Sequence, residues 1–406
     1  MVFKNNSTTY QYTLICILIL LNLFSAYPST IPLLLPIPNV KVMTFGYILL
    51  YSIFLLSFRK VWQVPSIIFQ LMVIQLIGWL ILYMVHLDGV YITRITYLVN
   101  AYLAILCLYQ YKNGINKFIN KYDVVIAVMS VLGTIAFFLV FFNLLSPVST
   151  YTNVDSRIGY FYGLTCTNTI FINVIRYAGF FDEPGAMAAW GMYALLLNQL
   201  IINSKKMERI LLICLSFTFS VAYYIQVILY ILFFKIKKTK HLLICLLIIA
   251  ASCFTIIELK DSNEALYNLT LGRLELNDKG TIKGDTRSSL SSIAKNYFKK
   301  SPLVGNGPTY IQKVDYMGDN PFETLASDGL IGSVIMYLPL LMLLISSKKN
   351  IISAVIILMV GYMQRPFHTH FIHFLMMYLF VIAVVINLHK HDELRIAKSH
   401  HNYNLV

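Results

Sequence analysis

The chain has 406 residues, 58% of them hydrophobic and only 12% charged, with a formal net charge of +14. Soluble domains carry about 25% charged residues, so this composition excludes an ordinary soluble globular protein. The basic residues gather in short links between apolar runs (Lys205-Lys206, Lys235 to Lys240, Lys348-Lys349), which argues against nucleic acid and for membrane topology, with anionic lipid headgroups or lipid-linked phosphates as the acidic partners.

A spanning helix needs about 20 apolar residues. The first apolar run, Tyr12 to Phe24 behind Lys4, resembles a signal peptide, but no small-residue cleavage site follows and it reads as an uncleaved span. Spans are expected near 12–33, 42–58, 66–86, 92–111, 123–145, 185–203, 209–222, 223–235, 241–258, 322–346, 350–364 and 368–388. The run from Arg209 to Lys235 is basic at both ends, so both ends face the same side. It is short for two full spans, which leaves two short tilted helices or a re-entrant hairpin. The expected fold is an all-α polytopic membrane protein of about 12 transmembrane helices. Residues 1–145 hold helices one to five and 146–184 a first long outer loop. Helices six to nine lie in 185–258, a second long outer loop with an amphipathic helix in 259–321, and the last three helices and a cytoplasmic tail in 322–406. No repeat relates the two halves, which counts against a transporter built by duplication.

Five cysteines, Cys16, Cys107, Cys214, Cys245 and Cys253, lie in apolar runs as small hydrophobes, and Cys166 sits in a polar loop without an evident partner. No spacing suggests a metal site. Arg94, beside the outer end of the fourth span, is expected to snorkel. The first outer loop ends in RYAGFFDEPGAMAAW, Arg176 to Trp190. There Asp182 and Glu183 either cap the next helix or set an acid beside Arg176 at a cavity mouth, a combination suited to a phosphate and a sugar hydroxyl. The second loop carries Arg273 and Arg287. Apolar residues at Leu290, Ile293, Ala294, Tyr297 and Phe298 predict a helix over 285–300, with Asp285 as its cap and Arg287 bordering the stripe. A turn-rich SPLVGNGPTY follows. Then GDNPFETLASDGLIG places Asp319, Asn320, Glu323 and Asp328 where the chain re-enters the membrane. Lys279, Lys283, Lys299 and Lys300 read as a solvated face. Three histidines, His368, His370 and His373, follow Arg365 at a short outer turn, where interfacial packing is expected and Arg365 is placed to assist phosphate binding.

Three pieces in this order carry a resemblance: R-x-x-G-x-F-x-x-P at Arg176 to Pro184, the run from Arg287 through SPLVGNGP, and DNPFETLASDGLIG. The Ser/Thr-rich SFTFS turn, Ser216 to Ser220, adds to them. Over roughly residues 120–380 the chain resembles the Wzy-type O-antigen and capsular polysaccharide polymerases and the related O-antigen ligases. The resemblance implies a GT-C-like glycosyltransferase in the bacterial inner membrane, with its active site facing the periplasm. Donor and acceptor would be oligosaccharides on undecaprenyl diphosphate, with no cofactor or metal, and a chain-length regulator and a flippase as possible partners. It implies Arg176 and Arg287, then Arg157, Arg273 and Arg365, as ligands for the diphosphate leaving group. Asn320, Glu323 and His368 would face the glycan. Ligases often carry His-Asn where this chain has Asp319-Asn320, which makes Asp319 or Glu183 the candidate base and tilts the reading toward polymerase. Arg273 to Gly284 also fits an R-x10-G spacing common among relatives. The rival readings are an O-antigen ligase, a membrane O-acyltransferase, and a lipid-linked glycan flippase or other transporter.

Overall fold

The computed structural model describes residues 2–35, 40–57, 65–153, 156–171, 173–236, 288–314, 320, 322–346, 348–364 and 370–403, with a few more between 254 and 275. Asp285, Arg273, Arg287, Asp319, Arg365, His368 and most of the span expected near 241–258 lie outside the described residues.

The apolar runs become helices. The first half holds α1 (Val2–Phe24), α2 (Ile31–Leu34), α3 (Val40–Leu56), α4 (Ser66–His86), α5 (Gly89–Tyr109) and α6 (Gly114–Phe141). Next come α7 (Pro184–Leu197), prolonged by a π-helical turn (Asn198–Ile202), α8 (Lys205–Ser216), and α9 (Val221–Tyr230) with its own π-helical turn (Ile231–Lys235). The remainder comprises α10 (Glu264–Leu269), α11 (Ser288–Lys300), α12 (Pro308–Val314), α13 (Glu323–Leu343), α14 (Lys349–Gln364) and α15 (Phe371–Tyr403). Among the described residues, six helices are long and apolar enough to cross a membrane: α4, α5, α6, α7 with its π turn, α13, and the first part of α15 to Leu388. α4 shows the physical reason. Ile68, Leu71, Trp79 and Leu82 are buried on one face, while Phe69, Ile74, Ile77, Ile81 and Met84 are exposed on the other. A helix apolar all round suits hydrocarbon rather than water, and the chain is a multi-pass helical membrane protein. Its core sits where α15, buried from Phe371 to Val385, packs against α5.

The bundle has two distinct ends. At the basic end, Tyr12 donates to the Gly114 carbonyl at 3.0 Å, and Lys117 and Lys121 lie over the Tyr12 ring. Here also the run from Arg209 to Lys235 closes on itself. It folds as two short antiparallel helices, α8 and α9, whose bases meet in an ion pair between Glu208 and Lys235. Tyr230 donates to Glu208 at 2.7 Å and Lys235 to Gln199 at 2.8 Å. The SFTFS segment is the hairpin tip, with Phe219 at a positive φ of 48°.

The opposite, loop end departs from an all-helical expectation. The first loop forms a three-stranded antiparallel sheet, β1 (Ser149–Thr152), β2 (Ile158–Phe161) and β3 (Cys166–Thr167), followed by a hairpin of β4 (Ile170–Phe171) and β5 (Val174–Ile175). The segments STYT and IGYF are β-branched and aromatic, which suits a pleated surface. Thr150 pairs with Tyr160, and Tyr160 with Thr167. Cys166, expected to stand alone, is buried and accepts a hydrogen bond from Thr30. In the second loop, α11 buries Ala294 and Tyr297 against Ile311 and Ala326, while Lys295 covers the Phe322 ring and Lys300 the Tyr297 ring.

α13 is broken at Gly329, which sits at φ 65°, ψ −168°. The turn-rich loop before it fills the break. Leu330 N donates to the Pro302 carbonyl, Ile331 N to Leu303, Asn306 N to Ala326 and Gly307 N to Ser327, all at 2.9–3.0 Å. Gly305, at φ 73°, lies so close that a Cβ there would collide with the Ser327 carbonyl. Its replacement combines backbone strain with overpacking, each worth about 1–3 kcal/mol. Gly305→Ala is therefore expected to lower the thermal midpoint of the purified protein clearly, and Gly46→Ala, which meets no neighbour, to leave it within about a degree or raise it. A wild-type midpoint for Gly305→Ala would show that the approach is not tight.

Candidate functional site

Two constellations lie at the loop end, one inside the bundle and one over it. The inner one is built on the break in α13. Asp328, the residue before Gly329, is fully buried and pairs with Arg94 of α5 at 2.9 Å; neither side chain is more than 1% exposed. Tyr91, one turn earlier on α5, donates to the other Asp328 oxygen at 3.0 Å. The Arg94 guanidinium lies 4.9 Å from the Trp79 ring centre and 5.3 Å from that of Tyr91. An expected snorkelling residue is thus an internal charge. The physical reason is its stripe, since Tyr91, Leu98, Ala101 and Ile105 share its side of α5 and all are buried.

The α4–α5 turn holds the loop that fills the break. His86 Nε2 meets the Val304 carbonyl at 2.8 Å. Asp88 accepts from Val90 N at 3.0 Å, and from Thr309 N and the Thr309 hydroxyl at 2.7 Å each. Burial pushes the Asp88 carboxyl up, but these hydrogen bonds, with the Arg94 charge behind them, outweigh it and hold the group below the usual carboxylate range.

Below the start of α13, Thr324, Ser333, Tyr337, Met359 and Tyr362 line a cavity of about 170 Å³. His373 is buried beside it, with ring contacts to Tyr337, Tyr362 and Phe374. Interfacial packing was expected for this histidine; it lies in the core instead, because α15 begins by turning its first residues inward. The hydroxyls of Tyr193 and Tyr362 meet nearby in a short contact.

The outer constellation surrounds the start of α7. Glu183 is the residue before Pro184 and makes no capping hydrogen bond through its side chain. It forms an ion pair with Arg157 at 3.6 Å, in which the arginine is half exposed and the carboxylate mostly buried. Asp182 accepts from the Tyr27 hydroxyl at 2.5 Å, and its backbone carbonyl accepts from Asn153 at 3.4 Å. The Tyr27 ring packs on His370 at 4.7 Å. The two constellations therefore flank one element, the start of α15, through His370 on one side and His373 on the other.

Arg176 does something the sequence did not suggest. Its Nε donates to the Thr218 carbonyl at 3.0 Å, at the tip of the α8–α9 hairpin. Tyr177 donates to the Cys214 carbonyl at 2.8 Å, tying the same loop to the same tip. Asn320 is buried, and its side-chain oxygen accepts from Phe322 N at 2.9 Å, shaping the entry to α13. Glu323 follows in the first turn of that helix. Sequence reasoning named Arg94 and Asp328 but did not join them, and it missed Tyr91. The helical stripe through Arg94 was the signal that could have found them. Among the described residues no three His, Cys, Asp or Glu side chains converge as metal ligands would. Comparisons with protein-family models, curated proteins and solved structures found no match.

Removing one member of a buried pair leaves an uncompensated charge and costs about 3–5 kcal/mol. Arg94→Ala is expected to reduce folded yield and thermal midpoint strongly, and Arg94→Met combined with Asp328→Leu to recover most of the loss. If the double variant is no better than Arg94→Ala alone, the pair is not what the single variant removed. Asp88 makes a separate, pH-dependent contribution. Because folding lowers its pKa, that stability is present above the unfolded value of about 4 and is lost as pH falls through the folded value. The midpoint of the wild type should drop below about pH 4 more steeply than that of Asp88→Asn, measured by thermal unfolding across pH 2.5–7.

Proposed function

We propose that the chain is a glycosyltransferase that polymerises oligosaccharide repeat units carried on a lipid diphosphate. In this reading it has about 12 spans in a GT-C-like arrangement, lies in a bacterial inner membrane, and works on the periplasmic face, where the loop end sits under the positive-inside rule. The acceptor hydroxyl oxygen attacks the anomeric carbon of the donor glycan. The bond from that carbon to the diphosphate oxygen breaks, and the diphosphate leaves with the electron pair on its lipid carrier. The acceptor proton passes to a carboxylate base.

The observation that carries the reading is the Arg157–Glu183 pair over the start of α7, a half-exposed guanidinium against a mostly buried carboxylate. A guanidinium suits the developing charge of a diphosphate, and a shielded carboxylate suits proton transfer. Arg176, Arg287, Arg273 and Arg365 remain the further diphosphate candidates in this proposal. Asn320, Glu323 and His368 are candidates for the glycan, and Asp319 is the alternative base. The second reading is an O-antigen ligase, which uses the same donor with lipid A core as acceptor.

Loss of a general base costs about 100- to 10,000-fold in rate. Glu183→Gln and Asp319→Asn, assayed on purified lipid-linked repeats at equal folded protein, are expected to split. The base variant falls by at least about 100-fold and the other stays within about tenfold. Normal turnover in both would remove carboxylate base catalysis from the proposal. In the host, deletion is expected to leave a single repeat unit attached to the core, whereas loss of all attachment would assign the chain as a ligase.

A further inference from the structure

The basic end carries a feature the transfer reaction does not use. A cavity of about 440 Å³ opens between the π turn after α7, the start of α14 and the far part of α15. Its wall is apolar, with Leu200, Ile201 and Val384, while its rim carries Lys348, Lys349 and Asn350, all exposed. Its described lining contains two lysines and no acidic residue. The rim is also the first turn of α14, a helix of 16 residues, whose leading N–H groups lack intrahelical acceptors and carry the positive end of the helix dipole. Lys348 N is bonded to the Ser346 hydroxyl at 3.3 Å, and its carbonyl accepts from Ile351 N at 3.0 Å, so the turn that presents the two ammonium groups is braced.

We propose that this cavity is a binding site for the headgroup phosphate of an anionic phospholipid, seated from the membrane leaflet at the basic end. Three features select a lipid over a soluble anion. The cavity lies at the level where spans emerge at the basic end, beside Asn387 and Leu388 at the close of the membrane-crossing part of α15. Its apolar wall would be wasted on a free ion but fits the glycerol backbone and upper acyl chain of a lipid. The positive charge is concentrated at one rim, as a headgroup approaching from the side requires. The cavity also lies between three segments: the α7 extension, the start of α14 and α15. A lipid there would brace the helices that carry Glu183 and His373 at their other ends, although the binding claim itself does not depend on the transferase reading.

The test uses the full chain in detergent micelles doped with phosphatidylglycerol or phosphatidylcholine, read by native mass spectrometry and by thermal midpoint. The wild type should retain phosphatidylglycerol at least about fivefold better than phosphatidylcholine and gain several degrees from it. The Lys348→Gln/Lys349→Gln variant should lose that preference while keeping the wild-type midpoint in phosphatidylcholine. Leu200→Trp, which narrows the cavity and keeps both lysines, should also lose it. This second variant tests the cavity even if the lysine variant does not fold. Preference retained by Leu200→Trp would mean that surface charge alone attracts the lipid and would overturn the site. Equal retention of the two lipids by the wild type would do the same. So would a midpoint gain from millimolar inorganic phosphate equal to that from phosphatidylglycerol, since a soluble anion would then suffice.

Discussion

The ion pair between Arg94 and Asp328 is the constraint on which the loop end depends. Both groups are closed off from solvent in a bundle that crosses hydrocarbon, where an unpaired charge is too costly to keep. Pairing alone repays this cost poorly, and the surroundings make up the difference. Tyr91 supplies a hydrogen bond to the carboxylate, and two aromatic rings offer their faces to the guanidinium. Because the geometry must be good for the pair to exist at all, it ties α5 to the break in α13.

The break in α13 follows from the same requirement. A helix running straight through residue 329 would leave no room for the chain between Pro302 and Gly307. A broken helix in a membrane bundle must find other partners for its freed backbone groups. That loop supplies them, two donors to Ala326 and Ser327 and two acceptors for Leu330 and Ile331. Two glycines at positive φ let the backbones come that close. His86 and Asp88 then fasten the far side of the loop to the α4–α5 turn. The result is one cross-braced unit of three distant stretches of chain, and Asn320 and Glu323 are delivered at its edge.

How much of this was legible in the sequence depended on whether the signal was local. α4, α5 and α6 follow from apolar runs of sufficient length, since hydrocarbon reads composition directly. For the run from Arg209 to Lys235, bases at both ends and a length short for two full spans pointed to two short helices or a re-entrant hairpin, and the structure shows two short helices, α8 and α9, closed by the Glu208–Lys235 pair. The strands of the first loop were hidden because segments of two to four residues carry too little alternation to register. Arg94 lies close enough to a helix end to suggest snorkelling, but it shares a side of α5 with Leu98 and Ala101, and that buried side sets its place. The Gly305–Gly329 approach joins two turns that no period in the sequence relates. Residue types there were visible as turn-formers, but their meeting was not.

The arginine motif at Arg176 shows why a charged residue in a loop needs its partner before it has a role. Its Nε is spent on the Thr218 carbonyl, close to the C-terminal end of α8, where the helix dipole is negative. With Tyr177 bonded to Cys214, this makes the first loop and the hairpin tip one body. Arg176 therefore acts first as an oriented strut, and any contact it makes with a diphosphate has to come from a guanidinium whose direction is already set. Arg157 is held differently, half exposed and 3.6 Å from Glu183. In the proposed reaction an incoming diphosphate would compete with Glu183 for the half-exposed Arg157 guanidinium and weaken the hold of that cation on the carboxylate. A carboxylate that loses a neighbouring cation becomes a stronger base. Where Glu183 rather than Asp319 is the base, substrate binding would then strengthen the group that takes the acceptor proton.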